Sequence, residues 1–241
     1  MGYKTGIVIQ ARMGSTRLPG KAMLSIGGKP MLYILIERLK RCQTVDEIVV
    51  ATTRNERDEP IVACARALDA RVYRGDENDV LSRYYEAACE YALDTIVRIT
   101  SDCPLSDPFI IDEMVRAFRA APNVPYLSNT VTRTFPRGFD AEVFAFKVLE
   151  EAHRNAKEDY EREHVTPYIY RTMAVQAYRA GDDASTFRVT VDTAEDFRLV
   201  SEVFSTLGRL PFIRVSDVIA LLRSRPDLVE INRHVQQKAA V

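Results

Sequence analysis

The chain is poor in the residues and patterns that mark several protein classes. Its four cysteines (Cys42, Cys64, Cys89 and Cys103) show no CxxC or CxxxC spacing, which gives little support to a structural zinc or a disulfide framework. No apolar run approaches ~18 residues, and no apolar core follows a basic start, so neither a spanning helix nor an export signal is expected. The net charge is −1, leaving no global basic field for nucleic acid or an anionic membrane. There are only three histidines and no HExxH pattern. No Gly/Ser linker, low-complexity segment or internal repeat divides the chain. The expectation is a cytoplasmic protein whose residues 1–241 form one domain, with an irregular segment near 126–180 serving as a substrate lid or dimer surface.

One further absence is local. No Asp or Glu precedes Glu37, although those types make up 34 of the 241 residues. Within this acid-free stretch lies Gln10-Ala11-Arg12-Met13-Gly14-Ser15-Thr16-Arg17-Leu18-Pro19-Gly20-Lys21, directly after the apolar run Ile7-Val8-Ile9. Arg12, Arg17 and Lys21 in a glycine-containing loop at the end of a buried strand suit an anion, because glycine lets backbone amides approach closely. The bland alternative is a solvated basic turn. A P-loop is excluded: five residues, not four, separate Gly14 from Gly20, and Lys21 is followed by Ala22 where a Ser or Thr would bind magnesium. There is no GxGxxG either.

Short β-rich runs alternate with helical patterns through the first half. Gly6–Gln10, Glu47–Thr53, Arg71–Arg74 and Thr95–Thr100 read as strands; Pro30–Cys42, Asp58–Leu68, Asn78–Tyr91 and a helix from Pro108 to about Ala121 lie between and after them. Asp107-Pro108 has the form of a cap followed by proline at the first helical position. This alternation predicts an α/β fold with a mainly parallel, doubly wound sheet and a ligand site beyond the strands' carboxyl ends. Later, Tyr126–Asn129, Glu142–Phe146, Met173–Tyr178 and Phe187–Val191 are strand candidates, with one helix around Tyr160–Arg171. Thr193 and Asp196 have capping-box spacing before another helix.

Two aspartates follow apolar strand candidates: Asp102 after Ser101, and Asp192 before Thr193. Either could be a turn or cap residue. Together, near a triphosphate loop, they would offer hard oxygen ligands to Mg²⁺. Arg74 and Asp76 are candidates for base or ribose recognition, with Asn78 or Asp79 as the helix cap. The segment Asn129–Glu142 carries Arg133, Arg137 and Asp140. Its arginines could clamp a substrate carboxylate or simply lie at the surface. His164, in Arg162-Glu163-His164-Val165-Thr166-Pro167-Tyr168, is a candidate substrate contact and not a metal ligand.

IVIQARMGSTRLPGKAMLSIGGKPMLYILIERL resembles the N-terminus of the cytidylyltransferase family that includes the CMP-KDO and CMP-sialic acid synthetases. RGDENDVLSRYYEAA, IVRITSDCPLSDPFIID, RTFPRGFDAEVF, REHVTPYIYR and VTVDTAEDF resemble its spore coat polysaccharide biosynthesis branch, so the likeness spans roughly residues 6–205. It implies a GT-A-like nucleotidyltransferase with a Rossmann-like sheet flanked by helices on both faces. It also implies CTP as cosubstrate, Mg²⁺ as cofactor and a homodimer. Arg12, Ser15, Arg17 and Lys21 match the triphosphate loop, and Asp102 and Asp192 match the metal aspartates. The four loop residues, with Gln10, Ala11, Gly14, Arg74, Asp76 and Ser101, make up the expected nucleotide site, and Arg12, Lys21, Asp102 and Asp192 are the expected catalytic residues. Asn129, Arg133, Arg137, Asp140, Glu142 and His164 make up the expected acceptor site. The CMP-KDO enzymes carry Gly-Asp-Glu-Pro where this chain has Ser101-Asp102-Cys103-Pro104, so the acceptor is not inferred to be KDO. The rival readings are a sugar-1-phosphate nucleotidyltransferase using UTP or GTP and a non-catalytic nucleotide-sensing module.

Overall fold

The computed structural model describes residues 3–237. Strand β1 (Thr5–Gln10) is buried on both faces, with Ile7 and Ile9 in one helix-covered layer and Val8 in the other. A short hairpin, β2 (Ser25–Ile26) and β3 (Lys29–Pro30), leads into helix α1 (Met31–Leu39). Then follow β4 (Glu47–Thr53), α2 (Glu59–Ala67), β5 (Arg71–Gly75), α3 (Val80–Glu90), β6 (Thr95–Thr100) and α4 (Pro108–Ala120). Their apolar runs and helical stripes explain why this half is regular: each strand is covered on both sides and each helix buries one face. Asp107 caps α4 by accepting the Phe109 amide at 3.0 Å, and Asp79 caps α3 by accepting that of Ser82 at 2.9 Å.

β7 (Tyr126–Ser128), β8 (Glu142–Ala145) and β9 (Val175–Ala177) complete a seven-stranded sheet of order β5-β4-β1-β6-β8-β7-β9. The β5-β4-β1-β6 half is parallel, whereas β8 runs antiparallel to both β6 and β7. The chain leaves β1 toward β4 and β5 and returns on the other side as β6. The switch point therefore opens a crevice beyond Gln10 and Thr100. On one face pack α1, α2, α4, α8 (Ala194–Leu207) and α9 (Val215–Ser224), the last followed by the short α10 (Pro226–Glu230). On the other pack α3, α5 (Phe146–Asn155), α6 (Asp159–His164) and α7 (Pro167–Thr172). Among the described residues, no helix is long and apolar enough to cross a membrane.

Two expectations fail in the second half. The single helix expected around Tyr160–Arg171 is two helices, α6 and α7, broken at Val165-Thr166. The chain leaves helical geometry at Val165 (φ 72°), and Pro167, which has no amide to donate back into α6, opens a new helix at its first position. Phe187–Val191 is extended but, among the described residues, joins no ladder and makes a single bridge, Arg137 with Arg188. Its backbone is engaged by loop residues: Val189 donates to the Arg137 carbonyl at 2.7 Å and Val191 to that of Asp102 at 2.8 Å. The expected cap of α8 is present as a full capping box on Thr193 and Asp196.

Candidate active site

The loop after β1 is held from beneath by an acid that sequence reading placed only in a helix. Asp58, fully buried, accepts the Met13 amide at 2.8 Å and the Thr52 and Thr53 hydroxyls at 3.1 and 2.5 Å. Gly20, at φ 72°, turns the chain so that Lys21 starts a 3-10 turn. A side chain there would meet the left-handed penalty that glycine avoids. Asp58→Ala is expected to cost about 3 kcal/mol, since it strips buried donors of a charged acceptor. The denaturant midpoint reads this directly.

Lys21 reaches across the crevice. Its ammonium lies 2.9 Å from Asp102 Oδ2, 2.8 Å from Asp192 Oδ1 and 3.0 Å from the Val191 carbonyl. Asp102 stands beyond β6 and accepts the Thr100 hydroxyl at 2.5 Å. Asp192 is placed by the extended segment before α8, which Gly138 allows to run close: at φ 113°, an added Cβ there would come within 2.6 Å of the Thr190 amide nitrogen. Arg17 adds a contact to Asp192 Oδ1 at 2.9 Å, and Arg188 binds Asp192 Oδ2 and both oxygens of Asp196 at 2.9 Å.

These pairings set the charge states. Burial pulls the Lys21 pKa down, but Asp102 and Asp192 outweigh it and hold it above the ordinary lysine value. Burial pushes Asp102 up, yet Lys21 and the Thr100 hydroxyl keep it below the usual carboxylate range. Cys103 is driven well above its ordinary value by burial and by Asp102, so it stands there as a neutral thiol.

A cavity of about 370 Å³ opens over this cluster. Gln10, Ala11, Arg12, Ser15, Arg17, Lys21, Ser101 and Asp102 line one part of it, and Arg137, Asp140, His164 and Asp192 another. The remaining candidates lie outside the lining. Gly14 packs under the Arg57–Glu77 ion pair, where an added Cβ would come within 2.6 Å of Glu77. Arg74 is turned to Glu59 and the Thr53 and Asn55 carbonyls. Asp76 accepts the Asn78 and Asp79 amides at 2.8 and 2.9 Å as a turn residue. Asn129 is buried and ties Phe139 to Ala141 through their backbones. Arg133 is occupied by Asp140, which it grips at 2.6 and 2.9 Å. Glu142 is buried against Arg98 at 2.5 Å.

Sequence reading also missed two arginines of the lining. Arg98, on β6, contacts Glu142 and Gln10 at the cavity floor. Arg83 is only 1% exposed, and its Nε and Nη1 have no hydrogen-bond partner among the described residues. Burial lowers its pKa, with Arg12 adding like charge. Its signal was present: it shares the apolar α3 face with Val80, Tyr84 and Ala87, where a cation is out of place. A buried guanidinium with unpaired donors beside a cavity has hydrogen-bonding capacity that the described residues leave unused.

Residues 6–222 match the cytidylyltransferase family. An uncharacterized protein of Methanocaldococcus jannaschii is 39% identical over 240 residues, covering 96% of each chain. The spore coat polysaccharide biosynthesis protein SpsF of Bacillus subtilis is 34% identical over 235 residues, which is 91% of this chain and 94% of its own. The solved structure of a cytidylyltransferase from Leptospira borgpetersenii has a TM-score of 0.89 and 36% identity, covering 99% of this chain and all of that one at 100%. With its family match, its relatives and its nucleotidyltransferase fold in agreement, the chain belongs to the cytidylyltransferase family and is a CTP-using nucleotidyltransferase.

Proposed function

We propose that this enzyme transfers CMP from CTP to a hydroxyl of a sugar or sugar acid, releasing pyrophosphate, in the synthesis of a surface polysaccharide or other glycan. The observation that carries the reading is the meeting of Lys21 with Asp102 and Asp192 at the sheet's switch point, with Arg12 and Arg17 on the same cavity. The acceptor hydroxyl attacks the α-phosphorus in line, and the bond to the bridging oxygen breaks. Arg12, Arg17 and Lys21 bind the β and γ phosphates and neutralise the charge that develops on the departing pyrophosphate. Arg137 orients the acceptor. Its side chain lines the cavity, makes no salt bridge among the described residues, and has its pKa lowered by burial and by Arg133. A carboxylate on the acceptor would meet that need.

The fit of a divalent cation is supported by the ammonium of Lys21, which already holds a positive charge where oxygens of both aspartates converge. Two protein oxygens suit Mg²⁺, which keeps water and phosphate oxygens as its other ligands. Held by Asp102 and Asp192, such an ion would supply charge neutralisation at the α-phosphate. Lys21 pairs with both carboxylates and Arg17 with that of Asp192, so each exchanges a carboxylate for phosphate when nucleotide arrives.

Arg83 is proposed to meet the nucleotide. Arg83→Leu is expected to raise KM for CTP by about tenfold to a hundredfold, the loss of one or two charge-assisted hydrogen bonds. It should also raise the melting temperature, because a buried unpaired cation is removed. A lowered melting temperature with unchanged KM would assign Arg83 to the fold alone.

The deciding experiment for the function is a coupled pyrophosphate assay with four nucleotides and a panel of ulosonic acids, sugars and sugar phosphates. CTP-specific release with a sugar or sugar acid is the expected result. Release with UTP or GTP and a sugar 1-phosphate would replace it. CTP binding without release for any acceptor would leave a sensing module.

A further inference from the structure

The connection between α6 and α7 contains the backbone conformation that is hardest to explain by folding alone. Val165 has φ 72° and ψ −54°, and the Thr166 amide donates to the His164 carbonyl at 2.9 Å. That is a γ-turn of the positive-φ kind, rare and strained for any L-residue. Among the described residues, the other positive-φ residues besides glycine are Asp69 at 55° and Ala92 at 50°, types with less to lose there. A β-branched residue is the poorest choice for such a turn, and glycine would adopt it freely.

Both flanks of the turn are pinned. Arg162 of α6 binds Asp79 at 3.0 Å, Ser82 at 2.7 Å and the His153 carbonyl at 2.9 Å. Pro167 and Ile169 of α7 are buried, and Val165 itself is fully buried in the layer that holds Val148 and Leu149. Burial of the isopropyl group thus drives a conformation that its own Cβ resists. The effect of the turn is felt one and two residues earlier: Glu163 and His164 are delivered to the wall of the active-site cavity. Glu163 also lies 3.8 Å from Arg12 of the phosphate loop. Backbone strain persists where surrounding structure over-determines it, and it gathers at sites whose side chains need exact aim.

We propose that Val165 is a positioning residue: its strained γ-turn holds Glu163 and His164 as the acceptor-facing wall of the cavity. The acceptor part of this statement rests on the proposed function. The placement of His164 does not, and it can be measured without substrate.

The test compares Val165→Ala with Val165→Gly in the full chain labelled with ¹⁵N-histidine. Only three histidines are present, and His164→Ala identifies the relevant ring signal. Alanine keeps the Cβ that opposes the turn but loses the packing that drives it, so the His164 signal should move toward that of a free histidine. Glycine takes the turn at no steric cost, so the signal should stay near its wild-type position. Ordinary loss of packing gives the reverse order, because glycine removes more than alanine does. With the acceptor that supports pyrophosphate release, Val165→Ala should raise acceptor KM about tenfold and leave the KM for CTP within about twofold. A His164 signal unmoved in both variants, or moved further by glycine, overturns the proposal. So does an equal rise in both KM values. Failure of every panel acceptor would overturn the proposed function, while the His164 signal would still decide the turn.

Discussion

Asp102→Asn is expected to fold and to lose about 10³-fold in pyrophosphate release. The substitution preserves shape and one carbonyl oxygen, and β6, which ends two residues earlier, is untouched. What goes is one of two negative charges aimed at a common centre with the Lys21 ammonium. If that centre serves a divalent ion against the phosphates, several kcal/mol of transition-state stabilisation leave with it, which converts to the stated loss. The pH dependence of stability gives a second readout. Asp102 is held below the unfolded carboxylate value, so its contribution is present above that value and is lost as pH falls through the folded pKa. The melting temperatures of wild type and variant should therefore differ at neutral pH and converge in acid. Undiminished turnover would remove Asp102 from the chemistry.

Much of the frame was legible because the first half obeys local rules. Apolar runs such as Glu47–Thr53 and Thr95–Thr100 can be satisfied only when covered on both faces, and they appear within a residue of their expected bounds. The site's charged centre was legible for the same reason: a residue that directly follows a parallel strand has little freedom in where it emerges. Asp102 illustrates this, and so does Arg12. Asp192 was found through its sequence position, although the strand expected before it is a loop-bound extended segment. Pairing choices were not legible. Nothing local says that Arg133 prefers Asp140 or that Arg74 turns to Glu59, because such partners are decided by how loops fall in space. Asp58 and Arg83 were overlooked for a related reason. A buried polar residue on an amphipathic helix or at its start looks like a tolerable exception until its partners, or their absence, are seen. The break at Val165 was foreshadowed by Thr166-Pro167, but its positive φ was not.

Lys21→Met should have the larger effect on the fold and an activity loss of about 10²–10³-fold, as expected for removing one preorganised charge from a phosphate-binding centre. In the wild type, the ammonium cancels the cost of burying two carboxylates near each other. Its removal leaves Asp102 with burial as the dominant influence, and two like charges now share the site. The folded pKa of Asp102 should then rise above its unfolded value, so the folded state binds the extra proton. Stability must fall as pH rises through that interval, opposite to the Asp102 contribution in the wild type. Breaking a largely buried pair by deleting one partner costs about 3–5 kcal/mol, or roughly 6–20 °C in a chain of this size. Mg²⁺ supplies the discriminating measurement. In the wild type, Lys21 and Arg17 already engage the aspartates, so Mg²⁺ without nucleotide should change the melting temperature little. In Lys21→Met the same carboxylates are short of positive charge, and millimolar Mg²⁺ should recover several degrees. A variant stabilised by Mg²⁺ yet inactive with CTP would separate the two roles proposed above, the aspartates holding the cation and the lysine holding the phosphates. A flat pH profile and no response to Mg²⁺ would mean that the three residues form a structural knot at the sheet's edge and that the phosphates are gripped elsewhere.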